Sequence, residues 1–223
     1  VSWNPGKKYK DLRQRLDAVE LLAAYKEVYS YEELHSILGL PPSVLSRYYQ
    51  GNMIPNLETS KRMVTTLLDE KRVKDYVFRL IGKYKGDASS IFTNSRALNL
   101  VGIYISFRIL SRMAGSKISR IIAPPDQSAI LAAIVAHRLN LQVNLIASSA
   151  TTLCAELFPS IPIKRGDYVV AVYATFGREC IPSLRNFISK YKLDLKLIET
   201  VILADVLTES EIPSASSVEG IIP

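Results

Sequence analysis

The sequence predicts an α/β chain in two parts: an all-helical N-terminal domain over residues 1–85 and a parallel-sheet α/β domain over residues 86–223. Three observations predict it. The first eighty residues carry apolar positions at helical spacing and no alternating run. A polar stretch over residues 86–96, with Gly, Asp, Ser and Asn, marks a domain edge. Beyond it, continuous apolar runs suited to buried strands alternate with helical stripes, the order of a parallel sheet covered on both faces.

In the first part, Leu12, Leu16, Val19 and Leu22 recur at the spacing of one helical face. Ser30 and Glu33 form a capping box, in which hydroxyl and carboxylate satisfy each other's orphan amides, and open a second helix. That helix runs through Leu34, Ile37 and Leu38 and stops at Gly39, the residue best suited to a left-handed turn. Pro41-Pro42 opens a third helix, because a first turn has no use for the missing amide. Its apolar residues are Val44, Leu45 and Tyr48, and it ends near Gly51. Pro55-Asn56 opens a fourth, with Met63, Val64, Leu67 and Leu68 as its buried stripe.

In the second part, a helix over residues 96–113 buries Leu98, Val101, Ile105 and Ile109. Strands are predicted over residues 118–123, 142–147, 168–173 and 195–203, and helices over 128–139 and 182–191. The run Tyr168-Val-Val-Ala-Val-Tyr173 reads as a central strand. The tail from Leu207, rich in Ser, Glu and Pro, reads as loose.

Composition narrows the function. A 48% hydrophobic fraction supplies real cores, and 22% charged residues with 12 tyrosines argue against disorder. No apolar run approaches the roughly 20 residues that span a bilayer, and the first ten residues lack the apolar centre of a signal peptide. A cytoplasmic protein with no membrane partner is expected. Cys154 and Cys180 stand at no metal-ligand spacing, so no metal and no cofactor are expected, and whether the two pair is left open. The net charge of +7 suits a polyanion. Residues 1–80 hold 13 Lys+Arg against 10 Asp+Glu, and the remainder 15 against 11, so the excess of +3 and +4 is spread over both parts. A nucleic-acid reading must therefore rest on a motif.

That motif lies between Tyr31 and Glu58. Two short helices meet at a turn containing Gly39, and the second presents Ser43, Ser46, Arg47 and Gln50 on its outer side. Arg can grip the O6/N7 edge of guanine bidentately, and Gln the N6/N7 edge of adenine. Asn52 follows the helix, and Lys61 and Arg62 follow on the next one, placed for backbone phosphates. The stretch resembles the helix-turn-helix of Cro-type repressors: Leu45-Ser-Arg-Tyr48, Gly51-Asn52 and Pro55-Asn-Leu-Glu58 match that pattern. The resemblance implies binding to double-stranded DNA. A generic helical bundle, with Gly39 no more than a C-cap, is the plainer reading.

In the second part, Ile121-Ile-Ala-Pro-Pro-Asp-Gln-Ser-Ala-Ile-Leu-Ala-Ala133 resembles the first strand, pyrophosphate loop and helix of type I phosphoribosyltransferases. The stretch from Gly166 to Cys180 sits where that family carries its phosphoribosyl-pyrophosphate signature. There a buried strand ends in two acids that hold the ribose hydroxyls, and a Thr/Gly loop at a helix start cradles the 5′-phosphate. This chain has Tyr173-Ala174 in place of the acids, and the loop after them keeps Thr175, Gly177 and Arg178. The first loop has Pro124-Pro125 and no glycine, with Asp126, Gln127 and Ser128 after it. These departures lead to the expectation of no catalytic residues and no enzyme. Asp126, Gln127, Ser128, Thr175, Gly177 and Arg178 remain candidates for a phosphorylated ligand, against the plainer reading of structural turns.

The combination resembles the archaeal orotate-phosphoribosyltransferase-like transcription regulators. The resemblance implies a homodimer joined through the α/β domain, two recognition helices on a palindromic site, and a nucleotide or sugar-phosphate effector. Two other classes compete: an active purine or orotate phosphoribosyltransferase with an appended helical domain, and an adaptor whose helical domain serves protein contacts.

Overall fold

A computed structural model of the chain describes residues 6–113, 118–146, 164–203 and 218–222. The elements are α1 (Lys7–Tyr25), α2 (Tyr31–Leu38), α3 (Pro42–Tyr49), α4 (Leu57–Leu67), α5 (Glu70–Lys83), α6 (Ser90–Thr93) and α7 (Ser95–Arg112), followed by β1 (Arg120–Ala123), α8 (Gln127–Leu139), β2 (Gln142–Leu145), β3 (Tyr168–Phe176), α9 (Cys180–Tyr191), β4 (Asp194–Leu203) and β5 (Val218–Ile222). The chain divides into two compact units, Val1–Tyr104 and Ile105–Pro223, with the division inside α7. The polar stretch read as a domain edge instead holds the single turn of α6, whose Ile91 and Phe92 are buried.

Local caps set the helices of the first unit. The Ser30–Glu33 capping box forms in full: the Glu33 amide donates to Ser30 Oγ at 3.1 Å and the Ser30 amide to Glu33 Oε2 at 2.7 Å. The Ser30 amide, and then Arg79, hold the Glu33 carboxyl below its ordinary range. Gly39 closes α2 at φ 67°, where a side chain would strain the backbone. Asn56 caps α4 by accepting from the Thr59 amide at 2.8 Å.

Helices α1 and α4 run side by side in the same direction. Arg15 Nε donates to the Pro55 carbonyl at the head of α4 (2.7 Å), and Tyr25 Oη donates to the Leu67 carbonyl at its end (2.6 Å). This corrects the predicted face of α1. Leu12 and Leu16 are 46% and 41% exposed, and the buried set is Ala18, Leu21, Leu22, Ala24 and Tyr25. The helix pattern is real, but the contacts to Pro55 and Leu67 set α4 alongside the second half of α1, where the buried residues lie. Helix α5, not singled out in the sequence, buries Val73, Tyr76, Val77 and Leu80, a stripe at i, i+3, i+4 and i+7. Tyr76 and Tyr29 both stack against Tyr25, with ring centroids 5.1 and 5.3 Å away.

The second unit is built on a five-stranded sheet in the order β2-β1-β3-β4-β5, every pair parallel. Strand β3 is the predicted central strand extended to Phe176, and Val169 to Ala174 are all buried. One face of the sheet, with Ile122, Val169, Ala171, Tyr173 and Ile198, packs on Ile181, Leu184, Phe187 and Ile188 of α9. The tail read as loose contains β5, which adds a fifth strand beside β4. The Ser- and Pro-rich composition concealed the short Ile221-Ile222 pair, of which Ile221 is buried.

Two ion pairs, one half-buried and one buried, brace this unit. Arg120 at the start of β1 reaches Asp167 (Nε to Oδ2, 2.7 Å) before β3 and donates to Asn144 Oδ1 in β2 at 3.0 Å. Arg108 of α7 lies 3.2 Å from Glu199 in β4. The candidate strands thus arrive in register, with the carboxyl ends of β1 and β3 together.

Candidate nucleic-acid interface and ligand crevice

Helices α2 and α3 meet as the sequence predicts. Leu34, Leu38, Leu45 and Tyr48 are buried between them, while Val44 and Leu40 are half-buried. The Gly39 amide donates to the His35 carbonyl at 2.7 Å, and His35 Nδ1 lies 2.9 Å from the Leu40 carbonyl. A carbonyl only accepts, so Nδ1 carries the hydrogen and the ring braces the turn.

Ser43, Arg47 and Gln50 are exposed at i, i+4 and i+7 on one face of α3, and Ser46 beside them is half-buried. Asn52, Lys61 and Arg62 are also exposed. Asn52 Nδ2 donates to Gln50 Oε1 at 3.0 Å, a link the sequence reading missed, so the two amides present themselves jointly. In the same unit a cleft of about 550 Å³ is lined by Tyr29, Glu33, Asp75 and Arg79 among others. Four of its lining residues are joined: Arg79 pairs with Glu33 at 2.7 Å and Asp75 at 3.1 Å, and the Tyr29 hydroxyl donates to Asp75.

In the second unit the strand order places β1 between β2 and β3. The chain leaves β1 toward one edge of the sheet and β3 toward the other. Crevices at such switch points, outside the carboxyl ends of the strands, are where α/β sheets take ligands. The loops after β1 and β3 meet there, and they are the two loops singled out in the sequence.

The β1 loop is stitched to the end of β3. Asp126 accepts from the Ser128 amide at 2.7 Å, capping α8. The buried Ser128 Oγ accepts from the Ala174 amide at 2.8 Å. Of the three candidates on this loop, Asp126 and Gln127 are exposed and Ser128 faces inward. On the β3 side, Thr175 and Arg178 are exposed while Gly177 is buried. Tyr173 is buried against Phe176 with ring centroids 4.7 Å apart, and burial raises its hydroxyl well above the ordinary range.

Sequence reasoning missed Glu179. Its carboxylate folds back over Gly177, where an added Cβ would stand 2.5 Å from Oε2. An acid two residues beyond the loop glycine was the available signal. Cys180, a free thiol at the start of α9, is pushed up first by burial, and the Glu179 charge adds to this. Cys154 lies outside the described residues. Among the described residues no group of His, Cys, Asp or Glu could hold a metal, and no helix is long and apolar enough to cross a membrane.

This architecture is that of a phosphoribosyltransferase-like α/β fold carrying an N-terminal helical region. The chain is similar to adenine phosphoribosyltransferase from Saccharomyces cerevisiae, solved with D-2,5-dideoxy-2,5-imino-altritol 1,6-bisphosphate and adenine. That match has 12% identity and a TM-score of 0.51, and covers 61% of this chain and 85% of that one. A second adenine phosphoribosyltransferase structure matches with 12% identity and a TM-score of 0.50, over 61% of this chain and 86% of that one. No protein-family model matches the sequence, and no curated protein matches it. The structural matches overturn the expectation of a non-enzyme drawn from Tyr173-Ala174. The fold is shared with adenine phosphoribosyltransferases, whatever side chains stand after β3.

Proposed function

We propose that this chain is a DNA-binding transcription regulator acting as a homodimer. In this reading α3 enters the major groove, and the α/β unit joins two copies and takes a phosphorylated small molecule. One observation carries it. Ser43, Arg47 and Gln50 stand exposed on one face of a helix whose other face, Leu45 and Tyr48, is locked to α2 through a glycine turn. Their chemistry suits base edges, and Lys61, Arg62 and Asn52 suit the flanking phosphates. A dimer places its two recognition helices about 34 Å apart, one turn of the duplex. Titration of a duplex selected from a random pool tests this. Two copies per site and an affinity that falls steeply with salt are expected, and a flat salt response would assign the helical unit to protein contacts.

The proposed ligand site is the switch-point crevice, with Thr175, Gly177 and Arg178 on one side and Asp126, Gln127 and Ser128 on the other. The exposed Arg178 guanidinium suits an anion, which the Glu179 carboxylate over Gly177 would have to leave room for.

The comparisons favour a second reading more than they favour the regulator: a phosphoribosyltransferase acting on a purine or on orotate, with an appended helical domain. What favours it is the likeness to the yeast enzyme, whose structure holds an imino-altritol bisphosphate and adenine. Incubation with phosphoribosyl pyrophosphate, magnesium and adenine or orotate separates the two readings, and nucleotide formation selects the enzyme. Under both, Arg178→Ala is expected to weaken phosphoribosyl pyrophosphate binding roughly tenfold, the loss of one charge-assisted hydrogen bond. Unchanged calorimetric affinity would remove Arg178 from the site.

A further inference from the structure

Residues 7–15 of α1 hold five cations, Lys7, Lys8, Lys10, Arg13 and Arg15, against a single carboxylate, Asp11. Lys7, Lys8 and Lys10 are exposed. Among the described residues no carboxylate lies within ion-pair distance of Lys7, Lys8, Lys10 or Arg13. Elsewhere in this unit Lys74 pairs with Glu70, Arg79 with Glu33, and Arg96 with Glu27. Concentrated cations without partners repel one another, and a polyanion relieves that repulsion.

Their place in the fold says where the polyanion runs. Arg15 is level with Pro55 and Tyr25 with Leu67, so α1 and α4 start from the same end of the unit. Lys7, Lys8 and Lys10 therefore lie on the N-terminal side of the Arg15–Pro55 contact, toward the head of α4. The chain reaches that head from α3 through Gln50, Gly51 and Asn52, and α1 packs on α3 as well as on α4. The basic turns flank the connection that carries the exposed Gln50 and Asn52.

We propose that the first two turns of α1 are a second DNA-contacting element, which grips backbone phosphates beside the segment met by α3. The proposal rests on the DNA-binding reading of α3. It assigns to Lys7, Lys8 and Lys10 affinity without sequence preference, because phosphate contacts position a protein and carry no base information.

The test uses the full chain and a duplex of mixed sequence in a salt series. The K7Q/K8Q/K10Q variant is expected to lower the slope of log affinity against log salt by about 0.9 per contact, close to 2.7 for three. The K7R/K8R/K10R variant is expected to keep the wild-type slope, and base preference on a selected site is unchanged in both. A glutamine variant with the wild-type slope overturns the inference and leaves α3 as the DNA element. A lost slope that coincides with loss of the dimer in sedimentation also overturns it, assigning this segment, with its exposed Tyr9, Leu12 and Leu16, to a second copy. A wild-type protein whose affinity ignores salt overturns the underlying DNA reading, and this inference with it.

Discussion

Asp167→Ala is expected to destabilise the α/β unit by about 3 kcal/mol, because it removes the carboxylate that meets the buried Arg120 guanidinium. The two side chains are 14% and 7% exposed and meet at 2.7 Å. Arg120 also donates to Asn144, so the loss disturbs β1, β2 and the entry to β3 together. Burial alone would raise the Asp167 carboxyl. The hydrogen bonds from Arg120 and the Lys164 amide, with the Arg120 charge, outweigh it and hold the group below its ordinary 3.8. A depressed carboxyl contributes stability that is fully present above the unfolded value and lost as pH falls through the lower folded value. Urea unfolding from neutral pH down to below pH 3.8 should therefore show wild type and variant converging only in the acid range. A neutral-pH difference under about 1 kcal/mol would show that the pair only matches its desolvation cost.

Arg47→Ala is expected to lower affinity for a selected operator by about 1–3 kcal/mol and to relax preference at one base pair per half-site. Lys61→Ala and Arg62→Ala should instead weaken all sequences evenly and flatten the salt response. The contrast separates base reading from phosphate holding on one scaffold. Binding to a panel of single-base operator variants measures both. If Arg47→Ala leaves the preference profile unchanged, α3 is not the reading helix.

Much of this was legible in the sequence because the signals are local. Ser30, Glu33, Gly39 and Pro42 fix α2 and α3 through contacts three or four residues long. The apolar run from Tyr168 to Tyr173 announces a strand buried on both faces. The exposure of Leu12 and Leu16 was not legible, because it depends on where α4 begins, more than forty residues later. The bond from Asn52 to Gln50, the Glu179 carboxylate over Gly177 and the pairing of β5 with β4 are tertiary facts without a periodic signature. The reading of Tyr173-Ala174 as the end of catalysis judged a fold by two side chains. The likeness to adenine phosphoribosyltransferases is a likeness of fold, at 12% identity.

The bond between the Ser128 hydroxyl and the Ala174 amide ties the start of α8 to the end of β3, at the proposed ligand site. Two independent loops would each lose conformational freedom when a ligand arrived, and that entropy would be subtracted from its affinity. Here one of them is already immobilised by the strand the other follows. A ligand at the proposed site would meet one wall whose ordering was completed when the chain folded.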